Sequence, residues 1–326
     1  MADVVVLGQV GRDLVLRVPA LPDAGGSTPV AERREVLGGK GANQAVALAQ
    51  LGVPVALVGV VGDDRPGTEV RAQAAADGID VTAVVHRRGA ATALLVDLVE
   101  DGGRRRLLED VPAGVLLTPD DVAAAADQVA AAQAVSLQLQ QPGAAVRAAL
   151  EMVADGVVVV ADGAPADDAT RAAVLARADV VRADTAEAAL LVGQELAGAE
   201  EAREAAAELL TAGPRLVVLG VGEEGDVVAW RAGPTPGVAA EEIEADPRWA
   251  DGDVVVPLLG PPPVDPTGAG DAYVAALTAA LLGRAGPEDA AWVAAAAAAL
   301  TVARPGGRPA LSPQALHDVV GAHRRR

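Results

Sequence analysis

The 326-residue chain has no cysteine, no phenylalanine and a single tyrosine. Lys40 is its only lysine and Asn43 its only asparagine. Without cysteine there are no disulfides, thiolate zinc sites or cysteine nucleophiles. The only serines are Ser27, Ser136 and Ser312, and no Gly-x-Ser-x-Gly segment occurs, which argues against a serine hydrolase. The only histidines, His86, His317 and His323, lack the spacing of a metal site. Without phenylalanine, the core must be built from valine, leucine and alanine. Positive charge is also scarce: the formal net charge is −19, which disfavours nucleic acid or an anionic membrane as partner. The basic end, His323 to Arg326, reads as a solvated tail.

The longest uncharged apolar stretch, Ala290 to Ala303, is too short to span a membrane. The first residues lack the basic flank and cleavage site of a signal peptide, so the expected location is the cytoplasm. Val4 to Leu7 is a continuous apolar run ending in glycine, as in a strand buried on both faces. A helix over 43–51 and a strand over 55–61 follow. Helices over 119–132, 143–154, 168–177 and 200–212 then lead to strands over 134–139, 157–161, 179–181 and 216–219. Such alternation predicts a mostly parallel sheet with helices on both faces. Residues 14–18 with 29–37, and 92–99 with 104–110, read instead as strand pairs; Asp101-Gly102-Gly103 turns the second pair. These pairs suggest a small second sheet acting as a lid, placing 13–38 and 91–110 outside an α/β body of 1–12, 39–90 and 111–326. Residues 231–264, rich in Pro, Gly and acids, read as the least ordered part.

The most informative segment is Asp265-Pro266-Thr267-Gly268-Ala269-Gly270-Asp271, which runs into an apolar helix. Small residues at a helix start leave backbone N–H groups accessible to an anion. Asp271 then stands beside that cradle as a base. An anion cradle with a neighbouring base suits phosphoryl transfer to a hydroxyl. Gly38-Gly39-Lys40-Gly41-Ala42-Asn43 is the second such place. Its glycines let a ligand approach the backbone, and its lysine and asparagine can bond hydroxyls or a carboxylate, although the segment also reads as a turn capping the next helix. It is not a Walker A loop, because glycine follows Lys40. Asp13 follows the first strand, where ligands of parallel sheets sit, although taken alone it reads first as a solvated loop residue.

Gly220-Val221-Gly222-Glu223-Glu224-Gly225 matches a dinucleotide-binding pattern, but a strand rather than a helix follows it, which excludes the dehydrogenase reading. Asp184 and Glu187 open a helix at i and i+3. They can organise Mg²⁺ through water, or they can be an N-cap with its capping box.

Together these segments resemble the ribokinase-like (PfkB) family of carbohydrate kinases over nearly the whole chain. The early signature is Gly38-Gly39-Lys40-Gly41-Ala42-Asn43-Gln44-Ala45, and the late one is Asp265 to Asp271. The resemblance implies a doubly wound α/β domain with a small β lid through which two copies pair as a homodimer. It also implies transfer of the γ-phosphate of ATP to a sugar CH₂OH. Asp271 would be the base, with Gly268, Ala269 and Gly270 in the anion hole. Asp13, Gly39, Lys40 and Asn43 would hold the sugar, with Gln140 in the same pocket. Asp184, Glu187, Gly220, Gly222, Gly225, Gly270 and Ala295 would surround the nucleotide, with Glu187 reaching Mg²⁺ through water. Asp265, Thr267, Val302 and Gly306 would hold a monovalent cation, K⁺.

The chain departs from the family pattern at several places. Asp184 replaces an asparagine, Gly11 a sugar-binding asparagine and Gln140 a sugar-contacting glutamate. Ala310 replaces a serine near the cation, and the loop 112–114 lacks the asparagine that usually follows it. Residues 231–255 exceed the family's length. The expectation is an ATP-dependent sugar kinase acting on ribose or a related sugar. A nucleoside kinase, and a sugar-binding homologue impaired in turnover, are the alternatives.

Overall fold

A computed structural model of the chain describes residues 2–102, 104–233 and 246–324. Its main sheet has nine strands. Seven are parallel: β1 (Val4–Leu7), β4 (Val55–Gly62), β5 (Val84–Arg87), β8 (Ala134–Gln138), β9 (Val158–Asp162), β10 (Val180–Ala183) and β11 (Leu216–Gly220). Antiparallel β12 (Asp226–Trp230) and β13 (Gly252–Val256) extend one edge. The spatial order is β13-β12-β11-β10-β9-β8-β1-β4-β5. β1 pairs with β4 on one side and β8 on the other, so the winding reverses there. Such a reversal opens a crevice beyond the carboxyl ends of the strands.

The central strands are mostly apolar because both faces are buried. Val4 and Val6 pack into one core, while Val5 and Leu7 pack into the other. The first core is closed by α1 (Lys40–Gln50), α2 (Arg65–Ala76), α9 (Ala269–Leu282), α10 (Pro287–Val302) and α11 (Pro313–His323). The second is closed by α3 (Pro119–Ala124), α4 (Ala126–Ala130), α5 (Gly143–Met152), α6 (Asp168–Arg177), α7 (Thr185–Val192) and α8 (Ala199–Thr211). α9 and α10 meet largely through alanines, including Ala272, Ala276, Ala290 and Ala294, all fully buried. Small side chains let these helix backbones approach closely, which supplies dense packing without aromatic bulk.

A four-stranded sheet, in the order β3-β2-β6-β7, stands apart from the first. It comprises β2 (Gly11–Val18), β3 (Glu32–Gly38), β6 (Ala93–Glu100) and β7 (Arg105–Asp110). β2 pairs antiparallel with β3 and parallel with β6. The two expected strand pairs therefore merge into one sheet, which begins at Gly11.

Several boundaries differ from expectation. The helix expected over 119–132 breaks at Ala125 into α3, which opens on the capping box of Thr118 and Asp121, and α4. β10 runs to Ala183, past the expected end at 181, and so carries Arg182 into the crevice. Residues 246–256 form a turn with buried Trp249 and then β13, so apolar anchors order part of a segment that its composition made look loose. Residues 234–245 of the expected insertion, and Gly103 of the lid turn, lie outside the described residues. Arg324, read as part of a solvated tail, lies 5.4 Å from the Trp292 ring centre and bonds Asp289; Arg325 and Arg326 lie outside the described residues. No helix among the described residues is long and apolar enough to cross a membrane.

Candidate active site

The carboxyl ends of β1, β8 and β10, the amino ends of α1 and α9, and the inner face of the small sheet enclose a cleft of about 850 Å³. Asp13, Gly39, Lys40, Asn43, Gln140, Asp184 and residues 266–271 all line it. The two glycine-rich segments, 228 residues apart at Asn43 and Asp271, meet directly: Asn43 Nδ2 donates to Asp271 Oδ2 at 3.1 Å. Asn43 Oδ1 is buried and has no partner among the described residues. It is an unsatisfied acceptor on a residue that lines the cleft.

Gly268, at φ 74°, is the N-cap of α9, so the amides that follow it open toward the cleft. Its αL conformation suits glycine, which has no Cβ to clash. Asp271 lies in the first turn of α9 and is 5 % exposed. Burial is the main cause raising its carboxyl to about 7; nearby Lys40 opposes the rise and Asp162 adds to it. Asp13 projects from β2 and is also pushed up to about 7, first by burial and then by Asp97 and Asp271. Burial pulls the Lys40 ammonium down, but Asp162, Glu187 and Asp271 outweigh it and hold the group above its ordinary value. Lys40 therefore stays charged at neutral pH.

Asp184 and Glu187 form the capping box of α7: Glu187 N–H donates to Asp184 Oδ1, and Asp184 N–H donates to Glu187 Oε2. Capping is not Glu187's only engagement. Its Oε1 also accepts from Lys40 Nζ at 2.8 Å and from Gln140 Nε2 at 2.8 Å. Gln140 Oε1 in turn accepts from Gln138 at 2.7 Å, so both ends of its amide are held within the chain.

Other expected site residues lie apart from the cleft lining. Gly220 ends β11 and packs against the start of α7, and Gly222 N–H donates to Thr185 Oγ1 at 3.0 Å. Gly225 turns the chain back into β12. Antiparallel β12 in place of a helix agrees with rejection of the dinucleotide reading. Ala295, on α10, is buried in the core.

Asp265 is fully buried. Its Oδ1 accepts from Thr267 N–H and Oγ1, and its Oδ2 accepts from Gly306 N–H at 2.7 Å. Val302 O already accepts the amides of Val264 and Asp265.

Sequence reading missed Arg182, Asp162, Gln138 and the Asp97–Arg105 pair. Asp162 is the last residue and Arg182 the last but one of an otherwise apolar strand at the crevice, a position that offered a signal. Arg105 Nε bonds Asp97 at 2.6 Å and lies 3.7 Å from Asp265, which ties the small sheet to the late motif. Tyr273 is a further surprise: its hydroxyl is buried with no hydrogen-bond partner among the described residues. Tyr273→Phe is expected to leave turnover unchanged and to raise stability by up to about 1 kcal/mol, because an unsatisfied buried hydroxyl costs free energy. A lower melting temperature in the variant would contradict this.

The family model for pfkB family carbohydrate kinases matches residues 1–315. A ribokinase of Schizosaccharomyces pombe is 31% identical over 317 residues, covering 94% of this chain and 93% of that protein. An ATP-dependent ribose-1-phosphate kinase of Halopiger xanaduensis is 30% identical, covering 97% of each. The fold matches that of Arabidopsis thaliana ribokinase solved with ribose and ATP, with a TM-score of 0.72, 22% identity and 98% of each chain covered. The chain belongs to the pfkB family of carbohydrate kinases, and it is a ribokinase-like sugar kinase.

Proposed function

We propose that the chain phosphorylates ribose or a closely related sugar at a CH₂OH group, with ATP as donor. The observation that carries this reading is the meeting of Asn43, Lys40 and Asp271 at the amino end of α9. Asp271 accepts the proton as the sugar oxygen bonds to the γ-phosphorus. The amides of residues 268–271 and the Lys40 ammonium receive the phosphoryl charge. Asn43 Oδ1, Asp13 and the Gly39 backbone orient the sugar hydroxyls, beside Gln140. Asp184, Glu187 and the turn of Gly220, Gly222 and Gly225 form the nucleotide side, with Gly270 at the phosphates and Ala295 beneath the adenine region.

Among the described residues no three carboxylates or histidines converge on one metal position. Mg²⁺ therefore fits as an ion held chiefly by phosphate oxygens and water, with Asp184 and Glu187 as outer partners. Bound Mg²⁺ supplies charge neutralisation of the phosphates. K⁺ would be held by oxygens of Asp265, Thr267 and the backbone at Val302 and Gly306, in exchange for the hydrogen bonds that Asp265 and Val302 now accept. The outer face of the small sheet, where Leu108 is 58% exposed, suits a second copy of the chain as a lid-to-lid dimer.

Purified protein with Mg·ATP and K⁺ is expected to release ADP with ribose or a near relative in a screen of pentoses, hexoses, ribose 1-phosphate and nucleosides. ADP release confined to nucleosides would replace the sugar with that acceptor. Sugar-dependent stabilisation without ADP release would assign a binding role instead. Gln140 motivates the breadth of the screen, because it is committed to Gln138 and Glu187.

A further inference from the structure

Three cations line the cleft among the described residues: Lys40, Arg105 and Arg182. Arg105 is bonded to Asp97 on the lid side. Lys40 and Arg182 remain for the phosphate side, where Asp184 and Asp271 also face the cleft and Asp162 and Glu187 stand behind it. A donor with several negative charges needs more positive charge there than one lysine provides.

Arg182 is 8 % exposed, and its guanidinium lies against the anion cradle. A methyl group added at Gly270 would come within 2.5 Å of Arg182 Nη1 and 3.0 Å of its Cζ. Behind the cradle, Nη1 donates to Asp162 Oδ1 at 3.1 Å, and Glu187 Oε2 stands 3.8 Å away. The Tyr273 ring lies 5.9 Å from the guanidinium carbon. Arg182 Nε is buried and has no partner among the described residues. Glu187 thus faces both cations, Lys40 from one oxygen and Arg182 from the other, and holds them near the same end of α9 before any anion arrives.

Asp162, Asp226 and Glu187 all face the Arg182 charge, and the same guanidinium also meets the cradle at Gly270. We propose that Arg182 is a further catalytic residue, a fixed cation beneath Gly270 that binds the transferring phosphoryl group together with Lys40 and the amides of 268–271. This rests on the phosphoryl-transfer reading above. Burial and ion pairing fix the guanidinium in advance, so its charge acts without reorganisation during the reaction.

The test compares wild type with Arg182→Gln and Arg182→Lys under Mg·ATP and the best acceptor of the screen. Arg182→Gln is expected to lower kcat about 100-fold while leaving the acceptor KM within about twofold. Arg182→Lys is expected to recover about tenfold of that loss by restoring the charge without the fork geometry. Affinity for ADP with aluminium fluoride, a stand-in for the moving phosphoryl group, should fall far more than affinity for ADP alone. Removing the guanidinium leaves Asp162 short of a cation in the core, so Arg182→Gln/Asp162→Asn is measured alongside. The same loss of kcat in this neutral pair, at a melting temperature near wild type, would support the proposal. Full kcat in the double variant, or equal weakening of ADP and ADP–aluminium fluoride, would overturn it. Undiminished turnover in Arg182→Gln overturns this assignment alone, whereas undiminished turnover in Asp271→Asn overturns the reading of the site on which it rests.

Discussion

Asp271→Asn is expected to lose about 10³-fold or more of kcat and yet to melt at a higher temperature than wild type at pH 8. Both effects come from one buried carboxylate. Burial lifts Asp271 to about 7 from an ordinary value of 3.8. The native state therefore holds this proton over a pH range in which the unfolded chain has released it. Native protein binds more protons between about pH 4 and 7, so this group's contribution to stability falls as pH rises through that window. Above pH 7 the full cost of a buried charge is present. An uncharged asparagine avoids that cost, so the advantage of the variant should grow from pH 5 to pH 8. Comparing the two proteins at each pH cancels most other carboxylates. Asp13, also raised to about 7, is pushed up by burial, then by Asp97 and Asp271.

Activity runs the other way. The base must be ionised, so kcat/KM of the wild type should rise with pH and reach half its plateau near pH 7. Calorimetry at several pH values and initial rates of ADP release check both halves. A variant that keeps turnover removes Asp271 from the base role. A variant no more stable than wild type at pH 8 would show that the carboxylate is better solvated than its burial implies.

The parts of this site legible in the sequence share a physical cause. Asp271, Gly268 and Gly270 sit together in one short segment, and Lys40 and Asn43 do so in another, so their chemistry could be read locally. In a chain with one lysine and one asparagine, finding both in a glycine-rich turn marked that place further. Six of the seven parallel strands were visible because burial on both faces leaves apolar runs; β5, an edge strand carrying His86 and Arg87, was not. What was hidden depends on contacts between distant segments. Arg182 looked like the polar edge of a strand until the sheet placed it behind Gly270. Glu187 fitted both a capping box and a metal-side role; the capping box forms, and the same carboxylate also binds Lys40, 147 residues away. Gln140 looked like a simple replacement for an acid, but its amide links Gln138 to Glu187 and cannot be judged alone. The break at Ala125 was hidden for a different reason: an alanine-rich run has high helix propensity throughout, so nothing local marks its end.

Gly268→Ala carries the second large expected effect, because geometry and chemistry meet at this residue. The backbone at Gly268 has φ 74°, which costs a residue with a Cβ about 1–2 kcal/mol. A Cβ there would also collide with the carbonyl of Gly307. That carbonyl belongs to a loop fastened at Gly306 N–H to Asp265, so it has little room to move. The total loss of stability is expected to be about 2–4 kcal/mol. Turnover should fall further than stability alone explains, by about 10²-fold or more, because the cradle amides that follow Gly268 shift away from the phosphoryl position. Gly25→Ala separates the two contributions: its φ is 85° and nothing lies within 4 Å of the added methyl. That variant should lose only the backbone cost of about 1–2 kcal/mol and keep full kcat. If the two variants lose equal stability, Gly307 yields easily and the cradle is softer than its packing indicates. If Gly268→Ala keeps its kcat while losing stability, the backbone amides at the start of α9 do not carry the phosphoryl charge, and Lys40 and Arg182 must supply that stabilisation.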